Sequence, residues 1–437
     1  MALLDEWVSL QARARPEHPA VVADGRVATY GELDRQAVVT ARRLAAAGVG
    51  EGDRVATTMP PSIEFAVLLH ALPRLGAALV PLNARLTAAG RRRQEEQASP
   101  KLVLDEPPSG EEADAPLRTM LDPEAVHTVL FTSGTSGAGK AVALSCGNHH
   151  ASATASARNL GVEEDDRWLC PLPLFHVGGL AILLRSAIYG TTAIVHAEFD
   201  AGAVAAELTS GRATLASLVP TMLRRLREHG LERAPALRAV LLGGGPVPAE
   251  LLRWATARGL PVRATYGMTE TASQIATAAQ GETAARPLPG VQVRISPEGE
   301  ILVSGPMVAP AALAPDGWLH TGDEGQVDAE GRLRVRGRLK ELIVTGGENV
   351  SPGEVEQALL AHPAVADAAV VGRPDPEWGE AVTAFVVLDG EASGQELEGW
   401  CRGRLAGYQV PKRIERVSEL PRNAAGKLMR DELGSAR

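Results

Sequence analysis

The sequence predicts a large α/β domain followed by a small α+β module, and three observations carry that expectation. The chain has 437 residues, which at roughly 100–200 residues per domain implies two or three domains and a large buried core. Its first part alternates helical and strand patterns, the mark of α/β units with parallel strands. From Leu302 onward short strand-like runs are separated by Gly, Pro and Asp turns, which fits an antiparallel region followed by a separate module.

Taken in order, Thr29-Tyr30-Gly31-Glu32 has the T-x-x-E form of a capping box, and Leu33, Ala37, Val38, Ala41 and Leu44 follow at helical spacing. Gly48-Val49-Gly50 stops that helix. Residues 55–59 read as a strand, 63–75 as an amphipathic helix after Pro60-Pro61, and 79–82 as another strand. Residues 85–118 are polar, with Arg91-Arg92-Arg93 ahead of Glu95-Glu96; they read as a solvated helix face and surface loop with no role. The apolar run Val129-Leu130-Phe131 precedes a Gly-rich loop, 141–145 reads as a second strand, and Asn148 is placed to cap a helix over 149–160. Further strands fall at 300–304, 332–335 and 342–345. Ser351-Pro352 opens a helix over 353–361 with Glu354 in its first turn, where Pro and a carboxylate are favoured. Strand, strand and helix follow at 367–371, 381–388 and 396–405. The module boundary falls around residues 338–341, dividing the chain into 1–338 and 339–437.

Composition excludes several partner classes. Lys plus Arg number 44 against 53 Asp plus Glu, a formal charge of -9, so no general attraction to nucleic acid or anionic membrane is expected. Only five of those cations are lysines, Lys101, Lys140, Lys340, Lys412 and Lys427. Where Arg fills nearly every surface position, a retained Lys marks a need for a compact, flexible point charge. Three cysteines, Cys146, Cys170 and Cys401, have no CxxC spacing, which supports neither a disulfide framework nor a zinc site and fits a reducing cytoplasm. Asp5 and Glu6 argue against a signal peptide, and the most apolar stretch, 178–197, is broken by Arg185. No membrane insertion is expected, and oligomeric state is left open, a homo-oligomer included.

The strongest local signal is Thr132-Ser133-Gly134-Thr135-Ser136-Gly137-Ala138-Gly139-Lys140. Small residues let backbone N–H groups converge on phosphate oxygens, hydroxyls add donors, and Lys140 adds charge. Gly134, Gly139 and Lys140 match the GxxxxGK of P-loop NTPases, but that motif needs Ser or Thr after the Lys and a helix beyond. Here Ala141 follows, and the next residues look like a strand. A strand-loop-strand hairpin over phosphates is the better reading.

That hairpin resembles the phosphate loop of the adenylate-forming superfamily, which includes acyl-CoA synthetases and peptide-synthetase adenylation domains; Gly139 stands where the family usually has Pro. Five more elements follow in order: Tyr266-Gly267-Met268-Thr269-Glu270, the TGD within residues 318–323, Gly337-Arg338-Leu339-Lys340-Glu341, Gly346-Gly347-Glu348-Asn349, and PRNAAGK at 421–427. Closer similarity is to 2-succinylbenzoate:CoA ligases of menaquinone biosynthesis, carried by Gly147-Asn148-His149, Ser152-Ala153, Asn159-Leu160-Gly161, residues 168–186 and YGMTETASQIA at 266–276. Residues 278–315 are compact relative to that family.

The resemblance implies the adenylate-forming fold, with stacked sheets, helices and a small β-barrel-like region in the large domain and a mobile α+β lid. It implies an enzyme using ATP, Mg2+ and CoA, with a small carboxylic acid as further substrate. Thr132, Ser133, Gly134, Thr135 and Lys140 would hold the β- and γ-phosphates, Thr269 would contact the α-phosphate, and Glu270 would bind Mg2+. Tyr266 would stack on adenine beside the Gly243-Gly244-Gly245 turn, while Asp323, assisted by Arg338, would accept from the ribose hydroxyls. Lys427 would stabilise the adenylation transition state, Lys340 would be the hinge, and Gly346 and Gly347 would line the thiol tunnel. His176 would border the acyl pocket, and Arg185, Ser273 and Gln274 are candidates for the acid's second carboxylate. Plain readings stand beside these: a strand-end turn at 243–245, an Asx-turn at Asp323, a solvated Lys340, a core His176 and a structural ion pair at Arg185. Another aryl- or acyl-CoA ligase, an amino-acid adenylation domain and a P-loop NTPase remain as alternative functions.

Overall fold

The computed structural model describes residues 2–132, 139–422 and 428–434. Among them the strands form one thirteen-stranded sheet, two five-stranded sheets and a two-stranded ribbon. The parallel half of the large sheet runs Pro19–Ala23, Thr192–Val195, Arg167–Cys170, Leu215–Leu218, Ala239–Leu242, Val262–Met268. From Val262–Met268 it turns antiparallel through Ser273–Ala278, Ala285–Pro287, Leu333–Arg338, Leu319–Val327, Glu300–Ser304 and Gln292–Ile295. This antiparallel half corresponds to the expected barrel-like region, and its hydrogen-bonded order is open at Gln292–Ile295.

The second sheet runs Leu102–Leu104, Arg54–Thr57, Ala78–Pro81, Val126–Phe131, Ala141–Ser145. Helix Ile63–Ala71 is buried at almost every position, which requires apolar surface on all sides. It joins helices Tyr30–Ala46 and Val177–Tyr189 and strand residues Val55, Leu79, Leu130 and Trp168 in one core. Thr29 caps Tyr30–Ala46, and the reciprocal Glu32 bond completes the capping box. Two expectations are corrected: residues 63–75, expected as one amphipathic helix, form the buried helix Ile63–Ala71 and a separate 3-10 turn Leu72–Leu75, and the cap expected at Asn148 moves. Helix Cys146–Leu160 is capped by Ser145, and Asn148 sits three residues inside it, bonding back to the Ser145 N–H. Its amide NH2 donates to the carbonyls of Pro306 and Val308, so Asn148 ties the helix start to a distant loop, a partner that local spacing does not show.

The third sheet is the C-terminal module: Glu348–Val350, Ile343–Thr345, Gly379–Leu388 and Val365–Asp375, with Arg413–Arg416 parallel to Gly379–Leu388. Helices Pro352–Leu360 and Gly394–Arg402 close its own core around Val355, Leu359, Val370, Val382 and Leu397. No helix among the described residues is long and apolar enough to cross a membrane.

Candidate active site

In an open parallel sheet, ligands bind beyond the carboxyl ends of strands where the strand order reverses. Here that strand is Arg167–Cys170: the next strand in sequence, Thr192–Val195, lies on one side of it and Leu215–Leu218 on the other. The loop leaving it leads to His176, which precedes helix Val177–Tyr189. Gly243-Gly244-Gly245 follows Ala239–Leu242, and Thr269–Thr271 follows Val262–Met268. His176, Gly243-Gly244-Gly245 and Thr269-Glu270 therefore follow strands of one sheet although they are far apart in sequence.

Tyr266, Asp323 and Arg338 form one cluster. Strands Leu319–Val327 and Leu333–Arg338 pair Asp323 with Arg338 in register, and the Arg338 Nε lies 2.9 Å from the Asp323 Oδ1. Arg338 also donates to the Thr321 carbonyl at 3.1 Å. The Tyr266 hydroxyl donates to the Asp323 Oδ2 at 2.6 Å; burial, then the nearby Asp323 charge, holds that phenol well above its usual pKa. Gly243 packs against Thr265, where an added Cβ would meet the hydroxyl at 2.5 Å. Gly244 has φ +81 and Gly245 has open space about it, which leaves the backbone approachable.

The phosphate hairpin is antiparallel, with Phe131 opposite Ala141. A strand follows Lys140, contrary to the P-loop NTPase pattern. Ser133, Gly134 and Thr135 lie outside the described residues, as does Lys427. At the hairpin's base the Thr132 N–H donates to the Lys140 carbonyl at 3.0 Å, and the Lys140 N–H donates to the Thr132 hydroxyl at 3.1 Å. Gly139 has φ +64 and its missing Cβ would lie 2.2 Å from the Thr132 carbonyl oxygen. That conformation excludes proline, whose φ is fixed near −65°.

Thr269 and Glu270 sit in a short 3-10 turn whose Glu270 carbonyl accepts from the Ala309 N–H at 2.8 Å. Among the described residues the Glu270 carboxylate makes no ion pair, and no group of three His, Cys, Asp or Glu is arranged for a metal. A half-buried, unpaired carboxylate suits Mg2+, which commonly takes one or two carboxylates with phosphate oxygens and water. After the turn, Ala272 and Ser273 have φ +48 and +114, conformations that cost of order 1–3 kcal/mol each for residues other than glycine. They reverse the chain so that Ser273 and Gln274 pair with Met268 and Gly267.

Arg185 is 3% exposed. It donates to the Gln274 Oε1 at 3.1 Å and the Ser152 hydroxyl at 3.4 Å, and its guanidinium lies 5.5 Å from the Trp168 ring centroid. Its Nε has no hydrogen-bond partner, and no carboxylate lies within salt-bridge distance among the described residues, so the structural ion-pair reading fails. Burial lowers its pKa. His149, held by the Thr128 hydroxyl at 2.8 Å, is kept neutral by burial, then by His127 and Arg185. The His176 ring lies 4.5 Å from that of Phe175, tilted by 57°, and its Nε2 is buried without a partner among the described residues; burial, then Arg85, pushes its pKa down to about 4.

Lys340 is exposed in the turn Leu339–Glu341. Gly346 and Gly347 have φ +60 and +85 in the hairpin between Ile343–Thr345 and Glu348–Val350, and Trp378 packs where a Gly346 Cβ would lie. Lys412 sits with Nζ 4.5 Å from that Trp378 ring centroid. Around the tail, Arg422 and Leu428 form a bridge, Arg422 donates to both Asp367 oxygens, and Arg430 joins Glu356 to Glu341. Sequence reasoning did not assign Ser152, Trp168, Asp367 or Arg430; Ser152 and Trp168 stood inside the resembling segments, while nothing in the sequence singled out Asp367.

Comparisons with known proteins agree with this geometry. The AMP-binding enzyme model matches residues 8–311 and the AMP-binding enzyme C-terminal domain model matches 354–427. A 2-succinylbenzoate–CoA ligase of Bacillus licheniformis is 39% identical over 472 residues, covering 98% of each chain. The o-succinylbenzoate CoA synthetase of Bacillus subtilis, in complex with the acyl-adenylate intermediate OSB-AMP, aligns with TM-score 0.93 and 36% identity over 100% of this chain and 99% of that one. A double mutant of the same enzyme, bound with the product analogue OSB-NCoA, aligns at the same identity and coverage with TM-score 0.75. The chain belongs to the AMP-binding, adenylate-forming enzyme family.

Proposed function

We propose that the protein is an ATP-dependent acid:CoA ligase of menaquinone biosynthesis whose acid is 2-succinylbenzoate. Relatives of that name cover nearly the whole chain, and Arg185 carries the choice of acid. A guanidinium buried with two neutral partners and a free Nε is a costly arrangement unless an anion joins it, and succinylbenzoate keeps one carboxylate after the other is activated. Gln274 and Ser152 orient Arg185, and Ser273 stands beside them.

In the first step one substrate carboxylate oxygen attacks the α-phosphorus of ATP, the bond to the β-phosphate oxygen breaks, and pyrophosphate leaves. Thr132, Ser133, Gly134, Thr135 and Lys140 hold the leaving phosphates, Thr269 the α-phosphate, and Lys427 the charge developing between acid and phosphorus. Mg2+, when bound at Glu270, neutralises phosphate charge. Tyr266, Gly243, Gly244, Gly245, Asp323 and Arg338 position the nucleoside. In the second step the CoA sulfur attacks the acyl carbon, its proton is lost, and the bond to the AMP oxygen breaks. Neutral His176 borders that carbon without adding a charge. The lid, residues 339–437, turns against residues 1–338 about Lys340 to bring Gly346 and Gly347 to the thiol. The higher TM-score to the acyl-adenylate complex supports reading the present arrangement as that of the first step. The enzyme works in the cytoplasm.

The test is pyrophosphate exchange into ATP across a panel of carboxylic acids, followed by AMP release with and without CoA. Exchange with 2-succinylbenzoate is expected; exchange only with fatty or amino acids would sink the assignment of the acid.

A further inference from the structure

Besides contacts beside the joint from Arg336 to Ser351 and Glu354, and the Gln357 bond to the Val247 carbonyl, the large domain reaches the lid through Arg224. Arg224, on helix Pro220–Glu228, donates to the Ala366 carbonyl at 2.9 Å and lies 3.5 Å from the Asp367 Oδ2. The same Asp367 carboxylate accepts from Arg422 at 2.9 and 2.7 Å. Arg422 begins the bridge to Leu428 that brackets the residues ending at Lys427. Asp367 is 13% exposed at its side chain, and the two arginines about one-third or less, so the trio is shielded from solvent more than a surface pair. Arg224 also approaches Glu228 on its own helix at 4.0 Å, which leaves its bonds to the lid intact.

We propose that Asp367 and Arg224 are positioning residues for the first step: the large domain holds the lid in its adenylating arrangement through the carboxylate that also fixes the start of the catalytic tail. The contacts differ in kind. Arg422–Asp367 lies within the lid and survives any rigid rotation of it. The Arg224 contacts cross between domains and are lost when the lid turns. They therefore stabilise one arrangement over the other, as a bias on a two-state equilibrium must. The proposal rests on the two-step reading above and adds to it the residues that decide how long the lid stays in the first position.

The experiment measures the half-reactions separately in the full chain: pyrophosphate exchange with 2-succinylbenzoate, and single-turnover conversion of supplied succinylbenzoyl-adenylate with CoA. Losing a partly screened ion pair and one charged hydrogen bond predicts that Arg224→Ala slows exchange by about five- to tenfold, with thioester formation within about twofold of wild type. Asp367→Asn should slow exchange at least as much, and adding Arg224→Ala to it should cost less than Arg224→Ala costs in the wild-type chain, because the two share the ion pair while the bond to the Ala366 carbonyl is lost only with Arg224. If Asp367→Asn fails to fold, Arg224→Ala alone decides. Exchange unchanged in Arg224→Ala, equal losses in both half-reactions, or effects that multiply in the double variant would overturn the proposal. Absence of exchange in the wild-type enzyme with every acid would remove the ligase reading, and this proposal with it.

Discussion

Replacing Arg185 by Met tests the acid pocket most directly, because it separates recognition from folding. The guanidinium is 3% exposed and held by the Gln274 Oε1 at 3.1 Å, the Ser152 hydroxyl at 3.4 Å and the face of Trp168. Truncating one partner of a buried charged hydrogen bond costs about 2–5 kcal/mol, and each 1.4 kcal/mol is about tenfold. Arg185→Met should therefore lower kcat/KM for 2-succinylbenzoate by about 30-fold to 4,000-fold. Stability should move the other way. A buried cation without a carboxylate costs free energy in the unliganded protein, so Tm should hold or rise by up to about 3 °C. The paired substrate is the analogue with hydrogen in place of the second carboxylate. Wild type should prefer the diacid by a factor of the same order, and the variant should treat both alike. An unchanged preference in Arg185→Met would refute the reasoning, whatever happened to the absolute rates.

Other perturbations follow from the same geometry. Gly139→Ala forces a Cβ toward the Thr132 carbonyl in a left-handed conformation, so KM for ATP should rise at least about threefold with acid binding unchanged; unchanged ATP dependence would mean that the hairpin base does not set phosphate geometry. Lys340→Pro should spare pyrophosphate exchange and block thioester formation; survival of both steps would move the hinge elsewhere. His127, buried against Trp7 and His149, has its pKa pushed down to about 4 by burial. Between pH 6.5 and about 4 the unfolded chain binds a proton that the folded chain does not, so stability falls as pH falls through that window, by about 3 kcal/mol at 1.36 kcal/mol per unit. Urea titrations of His127→Asn at pH 7 and 5 should show a shallower pH dependence than wild type; an equal slope would contradict this.

Local signals were legible in the sequence. The capping box at Thr29 and Glu32 is a contact over three residues, and the strand-loop-strand around residue 140 follows from Ala141 and the alternation after it. The same short-range logic misplaced the cap of helix Cys146–Leu160, because Ser145 and Asn148 both qualify and only the loop at 306–308 decides what Asn148 does. Long-range constellations escape such reasoning. Trp168 beneath Arg185 and Asp367 between two arginines depend on packing of segments far apart in the chain. The scarcity of lysine was informative even so: Lys412, exposed, lies over Trp378 beside Gly346.

The bond between Arg430 and Glu341 gives the lid a mechanical character. Arg430 grips Glu341 at 2.6 Å while its other nitrogen holds Glu356 at 2.8 Å, so the end of the turn Leu339–Glu341 is welded to the lid. Arg338 is fastened on the opposite side, to Asp323 and the Thr321 carbonyl. Between these two anchors lie Leu339 and Lys340. With Lys340 as the proposed hinge, this joint would work as a pivot rather than a tether, and an inserted glycine there would turn a directed swing into a loose one.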